Sequence, residues 1–481
     1  MPLVFAGARR LRSLALCLLV STAVPALAQL DPQTKQLSYD IFKQLIEINT
    51  TDSVGSTTVA ANAMAQRLLD AGFPKEDVRV LGPNDRKGNL VTRIHGSGAA
   101  RPILFLGHLD VVEALRSDWT TDPFQFVEKE GYFYGRGTQD IKENDAALVT
   151  TFIALKKQGF KPDRDLILAL TADEEGGKSN GVDWLLKNHR DLIEAEFVIN
   201  SDSGGVDLSQ GKAISFNVGA TEKLYGDYQL SATNPGGHSS LPVPDNAIYH
   251  IADSLTHLQA FTFPFELNPI TRAYFARMST LESGQTAADM KGILEDPPSA
   301  NAIARLSEIP KYNATMRTTC VATRLAGGVA NNALPQTASA NVNCRILPTH
   351  TREEIRRQLI QIFNDPKVTV RYAADTGEVK DTAPDTKGVP PTDLQPQVMR
   401  PLERLVAQMW PGAPVIPVME TGASDGKYTN EAGLPTYGIN GIAIDIDDVR
   451  EHGKDERLAV DSYYRGVEFY YRYLKLLSGE K

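Results

Sequence analysis

Cysteine is scarce in this sequence, with three among 481 residues, so at most one disulfide is available once Cys17 is set aside in the N-terminal apolar stretch. Long hydrophobic runs are missing as well. Apart from "SLALCLLVSTAV" near the start, itself short of the roughly 20 residues a membrane-crossing helix needs, no candidate span occurs. Charge does not gather either: a formal net charge of -9 is spread along the chain with no acidic tail and no basic block. That distribution excludes a nucleic-acid surface and keeps the chain soluble. No internal repeat or low-complexity tract is visible.

What is present is ordinary globular composition, 42% hydrophobic and 23% charged, in a chain longer than one core usually spans. Two domains are therefore expected. Arg9, Arg10 and Arg12 precede the apolar run, and "ALA" at 26–28 supplies small residues for cleavage, so residues 1–28 read as a signal peptide rather than an anchor. The mature protein is expected outside the cytoplasm, periplasmic or secreted. Arg9-Arg10 matches a twin-arginine signal only weakly, which leaves the export route open.

From residue 38 to 220, helical patterns such as "LSYDIFKQLIEI" alternate with short β-rich runs, "PILFLGHLD", "LILALTADEE" and "EFVINSDSGG". This predicts an α/β fold with a mostly parallel sheet flanked by helices, whose ligands gather at the carboxyl ends of the strands. Residues 222–378 instead read β-α-β-β-α-β, a ferredoxin-like insert, with 263–310 as an addition that this arrangement does not require. A Pro-rich linker, "DTAPDTKGVPPTDLQP", then leads to a return of the first domain. The expected division is 29–221 and 379–481 for the first domain and 222–378 for the insert. Within the insert, antiparallel pairing about Asn332 sets Cys320 opposite Cys344, as a disulfide or as two buried thiols.

The polar strand ends carry the chemistry: His108 and Asp110 in "GHLD", Asp140 in "GRGTQD", Glu174 and Glu175 in "TADEEGG", Asp202 in "NSDSGG" and His452 in "REHGKDE". A parallel sheet brings such ends into one crevice, where desolvated acids repel one another unless a cation is present. Mixed nitrogen and oxygen donors suit zinc, with manganese or cobalt as alternatives, and the set suffices for two ions sharing a bridging Asp.

In this order the residues resemble the M20 family of co-catalytic zinc exopeptidases and amidohydrolases, over nearly all of the mature chain. The resemblance implies His108, Asp140 and Asp202 around one ion and Asp140, Glu175 and His452 around the other. It implies Glu174 as general base and Asp110 as the partner that orients the His108 imidazole. Asp173 is read as a structural partner. In the insert, "NPGGHSSLP" is similar to the family stretch whose His reaches a neighbouring subunit's site, which makes His238 an oxyanion donor and the protein a homodimer. "NNALPQTASANVNCR" implies Asn332 and Arg345 as holders of the substrate's backbone and carboxylate. "ETGASDGKY" is similar to the Gly-rich loop that lines the substrate pocket.

Three departures stand out. "DIKEN" replaces the usual D-M-K-G-G, so the helix after Asp140 packs differently or leaves Glu143 and Asn144 near the rim; Asn343 replaces an Asp; and 263–310 enlarges the insert. The implied function is hydrolysis of the amide in dipeptides or N-acyl amino acids with a free carboxylate. A zinc aminopeptidase, or an inactive metal-binding scaffold of the same fold, is the alternative.

Overall fold

The computed structural model describes residues 30–374 and 377–480, so the expected signal peptide lies outside the described residues. A ten-stranded sheet forms the larger layer. At its centre Leu166–Thr171, Ile103–His108, Phe197–Asn200 and Thr436–Gly438 run parallel. Toward the edges the pairing turns antiparallel, at Val78–Leu81 with Asn89–Ile94 and at Gly205–Ser209 with Lys212–Glu222. The expected parallel order therefore holds in the middle and becomes mixed at the flanks. A tight hairpin explains one flank: Gln210 and Gly211 both take positive φ, 51° and 74°, which is the two-residue turn that matches strand twist.

The central strands are buried along their whole length, as continuous apolar runs with helices on both faces must be. Ile103 and Phe105 face the core built with helices Pro32–Ile46, Lys142–Lys157 and Val460–Leu477, while Leu104 and Leu106 face the core around Val182 and Leu185. This alternation fixes which way each strand end points. Deleting a ring such as Phe105, which is wholly buried, costs about 3–5 kcal/mol by the usual cavity penalty.

"DIKEN" turns inward rather than toward the rim. Lys142, Glu143, Asn144 and Asp145 are all 0% exposed. Lys142 Nζ donates to the carbonyls of Leu45 and Ile48, at 2.9 and 2.8 Å, so its amine closes the end of the first helix, while burial lowers it to about 7. Asn144 accepts the Tyr470 hydroxyl at 2.8 Å. Burial pushes the Glu143 and Asp145 carboxyls well up, and their place in the first turn of a helix suits whatever negative charge they keep.

The second sheet is antiparallel and five-stranded, built in the chain order Leu224–Thr233, helix Ala247–Ala260, Thr319–Gly327, Thr337–Ile346, helix Arg352–Phe363, Val368–Ala373 and the short Val379–Lys380. One face of Thr337–Ile346 is buried at every second residue, and Val342 and Ile346 share a core there with Tyr228, Leu230 and Leu359. Cys320 and Cys344 are register partners joined in a disulfide, which excludes the thiol alternative.

The added stretch behaves otherwise. Helices Pro269–Met278, Gly284–Gly292, Ala300–Ser307 and Pro310–Thr315 bury Phe275, Met290, Leu306 and Met316 against Ile416 of Val415–Glu420, a strand of the main sheet. Contiguity in sequence with the insert hid this docking, because the apolar partner lies about a hundred residues further on.

Glu353 ties the second sheet's helix to its surroundings by accepting from Arg356, Arg357 and the Ala383 amide. The Arg356 hydrogen bonds hold its carboxyl down at about 2, against an ordinary value of 4.5. Its stabilisation is present above the unfolded value and disappears as pH falls from about 4.5 toward 2. Glu353→Gln is expected to lower the melting temperature at neutral pH and to flatten the acid limb in that window; denaturation at stepped pH followed by circular dichroism checks it.

Candidate metal centre and active site

The strand ends converge. His108 closes the fully buried strand Ile103–His108, and its Nε2 stands 3.2 Å from Asp140 Oδ1 and 3.5 Å from Asp202 Oδ1. His452 Nε2 lies 2.9 Å from both Asp140 Oδ2 and Glu175 Oε1. Glu174 completes the group, because one ligand atom each from His108, Glu174 and Asp202 fall within 4.8 Å of one another. His108, Asp140 and Glu175 form a second such set. Asp140 therefore sits between the two imidazoles.

The orientation of His108 has a definite cause. Its Nδ1 donates to the Asp110 backbone carbonyl at 3.1 Å, so the lone pair of Nε2 points into the cluster, where that atom has no hydrogen-bond partner. The expected role of the Asp110 carboxylate needs correction here: Oδ1 is 3.8 Å from Nδ1, too far to orient the ring by a hydrogen bond. Instead the carboxylate accepts the backbone N–H groups of Glu174 and Glu175, at 3.1 and 3.0 Å. Asp110 thus fixes the peptide that aims both glutamates. Asp173 has the expected structural role: it pairs with Lys87, accepts from the Ser179 amide at 3.1 Å, and takes a left-handed φ of 59° that turns the chain.

Burial sets the electrostatics. It raises Asp202 and Asp110 to about 6 and Glu175 to about 7, and with the Asp202 charge it lifts Glu174 well above the carboxylate range. Hydrogen bonds to Asp140 and Glu175 hold His452 up at about 10. Burial works against charge on His108 and Asp140 too, but the attraction between imidazole and carboxylate prevails, raising His108 and lowering Asp140. Crowded desolvated acids around two imidazoles, one with an aimed and unpaired Nε2, are a donor set that fits divalent cations.

Two supports were not legible beforehand. Glu456 is completely buried and receives Arg136 Nη1 at 2.6 Å, the Gln139 amide at 2.6 Å and the Gly137 amide at 3.2 Å. Arg136 Nη2 in turn reaches the His452 carbonyl at 3.4 Å, so this pair locks the Asp140 loop to the His452 loop. Asp425, in the Gly-rich loop, accepts from Thr171 and Asn180 at 3.1 and 2.6 Å, and burial raises its carboxyl beside Glu174. Its signal was an acid inside "GASD".

The residues expected from the insert lie elsewhere. His238 is exposed, shares 2.7 Å with Ser240 Oγ, and pairs with Ala333 in a short ladder beside Asn332, whose carbonyl accepts from Ser239 at 3.0 Å. Arg345 is half-buried and lies over the Tyr225 ring, 4.9 Å from its centroid. Among the described residues of one chain, no hydrogen bond or ion pair joins these three to the cluster.

Imidazole and carboxylate donors gathered at the strand ends of an α/β sheet, with a spare glutamate alongside, define a metal-dependent hydrolase. The chain belongs to Peptidase family M20/M25/M40, matched over residues 104–476. It is 28% identical over 377 residues to the N-fatty-acyl-amino acid synthase/hydrolase PM20D1 of Xenopus tropicalis, covering 77% of this chain and 71% of that protein. It is 29% identical over 386 residues to the probable carboxypeptidase S-like 2 of Dictyostelium discoideum, covering 78% and 71%. The M20 family metallo-carboxypeptidase Sso-CP2 of Sulfolobus solfataricus has the same fold, with a TM-score of 0.68 and 16% identity over 92% of this chain and 99% of that one.

Asp110→Asn is expected to lower zinc affinity about 10–100-fold, the usual cost of losing a partner that holds metal-ligating groups in place. Competition against a chromogenic chelator reads this directly; affinity equal to wild type would remove Asp110 from the positioning role.

Proposed function

We propose that this protein is an exported two-metal hydrolase that cleaves the amide of dipeptides or N-acyl amino acids bearing a free carboxylate. The convergence of His108, Asp140, Glu175, Asp202 and His452 around Glu174 is the observation that carries this reading. His108, Asp140 and Asp202 would hold one ion and Asp140, Glu175 and His452 the other, zinc by donor type, with manganese or cobalt as substitutes. A bound pair of this kind supplies Lewis acidity, which acidifies water and draws charge from an amide carbonyl.

The protein's own residues do the rest. Glu174 stands at the His108 and Asp202 side of the cluster, where it takes the proton of the attacking water and passes it to the leaving nitrogen. Asp110 holds the Glu174 amide so that the carboxylate keeps its aim. Arg345 and Asn332 bind the substrate's carboxylate and backbone, and His238 donates to the developing oxyanion in the site of a second copy.

A homodimer is supported by the edge of the second sheet. Strand Thr319–Gly327 is exposed along most of its length, with Val321 60% and Leu325 69% exposed, and an apolar open edge of this sort invites pairing. Export is supported by the signal-like N-terminus and by the Cys320–Cys344 disulfide, which belongs in an oxidising compartment.

Glu174→Gln is expected to lower kcat about 10²–10⁴-fold, the usual contribution of a positioned base, while metal content stays at the wild-type level. The assay is hydrolysis of N-acetyl amino acids and dipeptides, abolished by chelator and restored by zinc. Full activity in the variant would refute the base assignment, and a zinc-loaded wild type inert toward every amide would favour a non-catalytic scaffold. Leu325→Glu is expected to halve the mass seen by light scattering and to reduce turnover without releasing metal; an unchanged mass would place the dimer contact elsewhere.

A further inference from the structure

A cavity of about 250 Å³ lies where the added helical segment meets the main sheet, lined on one side by Tyr274, Lys311 and Thr315 and on the other by Gly204, Asp207 and Glu420. Two of its lining residues, Gly204 and Glu420, link it to Asp202 of the metal centre. Gly204 is two residues past Asp202 and donates its amide to Glu420 Oε1 at 3.1 Å, and the charge of Asp202 bears on Glu420, whose carboxyl is raised first by burial. Tyr274 is 4% exposed, and its hydroxyl is a buried polar atom with no hydrogen-bond partner among the described residues. Leaving such a group unpaired is unfavourable, and Tyr274 lines the cavity, so a small side-chain shift would let its hydroxyl pair with a hydrogen-bonding ligand there.

We infer that this cavity receives the acyl side of the substrate and selects a short acyl group carrying an amine, such as the aminoacyl unit of a dipeptide. The inference rests on the hydrolase reading above, which gives the leaving amino acid's carboxylate to Arg345 and Asn332 and leaves the acyl portion to be housed. Size admits the group: an apolar cavity of about 150 Å³ takes benzene, so this volume has room for a group of side-chain size. Polarity argues for an amine. Asp207 and Glu420 are both acids; Asp207 already accepts from Asn217 at 2.9 Å and Ser215 at 3.2 Å through one oxygen, which leaves the other oxygen to face a donor. Lys311 is exposed, and the two acids outnumber it in the lining, so the cavity offers more acceptors than donors to a bound group. The added segment is thereby the source of acyl specificity, since Tyr274, Lys311 and Thr315 all come from it.

The test uses the purified zinc-loaded protein and three substrates with one leaving amino acid: a lysyl dipeptide, an N-acetyl amino acid and an N-decanoyl amino acid. Wild type is expected to show kcat/KM for the lysyl substrate at least tenfold above that for the decanoyl one. Thr315→Trp, which fills the cavity, lowers the lysyl-to-acetyl ratio of kcat/KM at least tenfold. Tyr274→Phe removes only the hydroxyl and lowers the ratio about threefold or more, through KM rather than kcat, so it keeps the test alive if the bulkier variant misfolds. Preference for the decanoyl substrate, or a lysyl-to-acetyl ratio unmoved by Tyr274→Phe, overturns the inference while leaving the hydrolase reading intact. A loaded wild type that cleaves none of the three overturns both.

Discussion

Repulsion among buried carboxylates is the constraint around which this fold is arranged. Asp140, Glu174, Glu175 and Asp202 stand within a few ångströms of one another at the ends of parallel strands, in surroundings that raise most of them well above their ordinary values. Two imidazoles offset part of that cost: His108 is drawn toward Asp140 and Asp202, and His452 toward Asp140 and Glu175. A sheet buried on both faces makes the arrangement possible, because strands such as Ile103–His108 have no freedom to turn their last residue outward.

Precision comes from backbone contacts more than from the ligating side chains. The Asp110 carboxylate grips two consecutive amides, so the adjacent glutamates of "TADEEGG" keep fixed and different directions, while Asp173 and Lys87 hold the turn behind them. On the other side, Glu456 collects a guanidinium and two amides from the Asp140 loop. Both acids satisfy main-chain donors that have no ladder partner at a strand end, and each thereby converts a loop into a rigid mount.

Much of this was legible in the sequence, and the reasons are specific. His108, Asp140, Glu175, Asp202 and His452 could be placed because each ends an apolar β-rich run or sits in a short polar motif, and strand direction then dictates convergence. The register of Cys320 with Cys344 followed from antiparallel pairing about Asn332. The contacts Asp110 makes were not legible, because a motif gives the residue but not which of its oxygens meets which amide. Glu143 and Asn144 were open between rim and interior, since charge favours the rim and only the neighbouring Lys142, Tyr470 and helix end show how the interior accommodates them. The attachment of helices 269–315 to Ile416 lay beyond reach for a different reason: amphipathic spacing reveals that a face will be covered, not by what.

The buried Arg136–Glu456 pair joins residues 320 positions apart, and His452 meets Asp140 across 312. Consequently the cluster closes only once the chain has reached His452 and Glu456. A nascent chain that stops short of His452 has made the acids, the first imidazole and the whole inserted sheet, yet not the second imidazole. The order of the genetic message thus places the joining of the cluster after the inserted sheet, and a chain cut before His452 lacks its second imidazole.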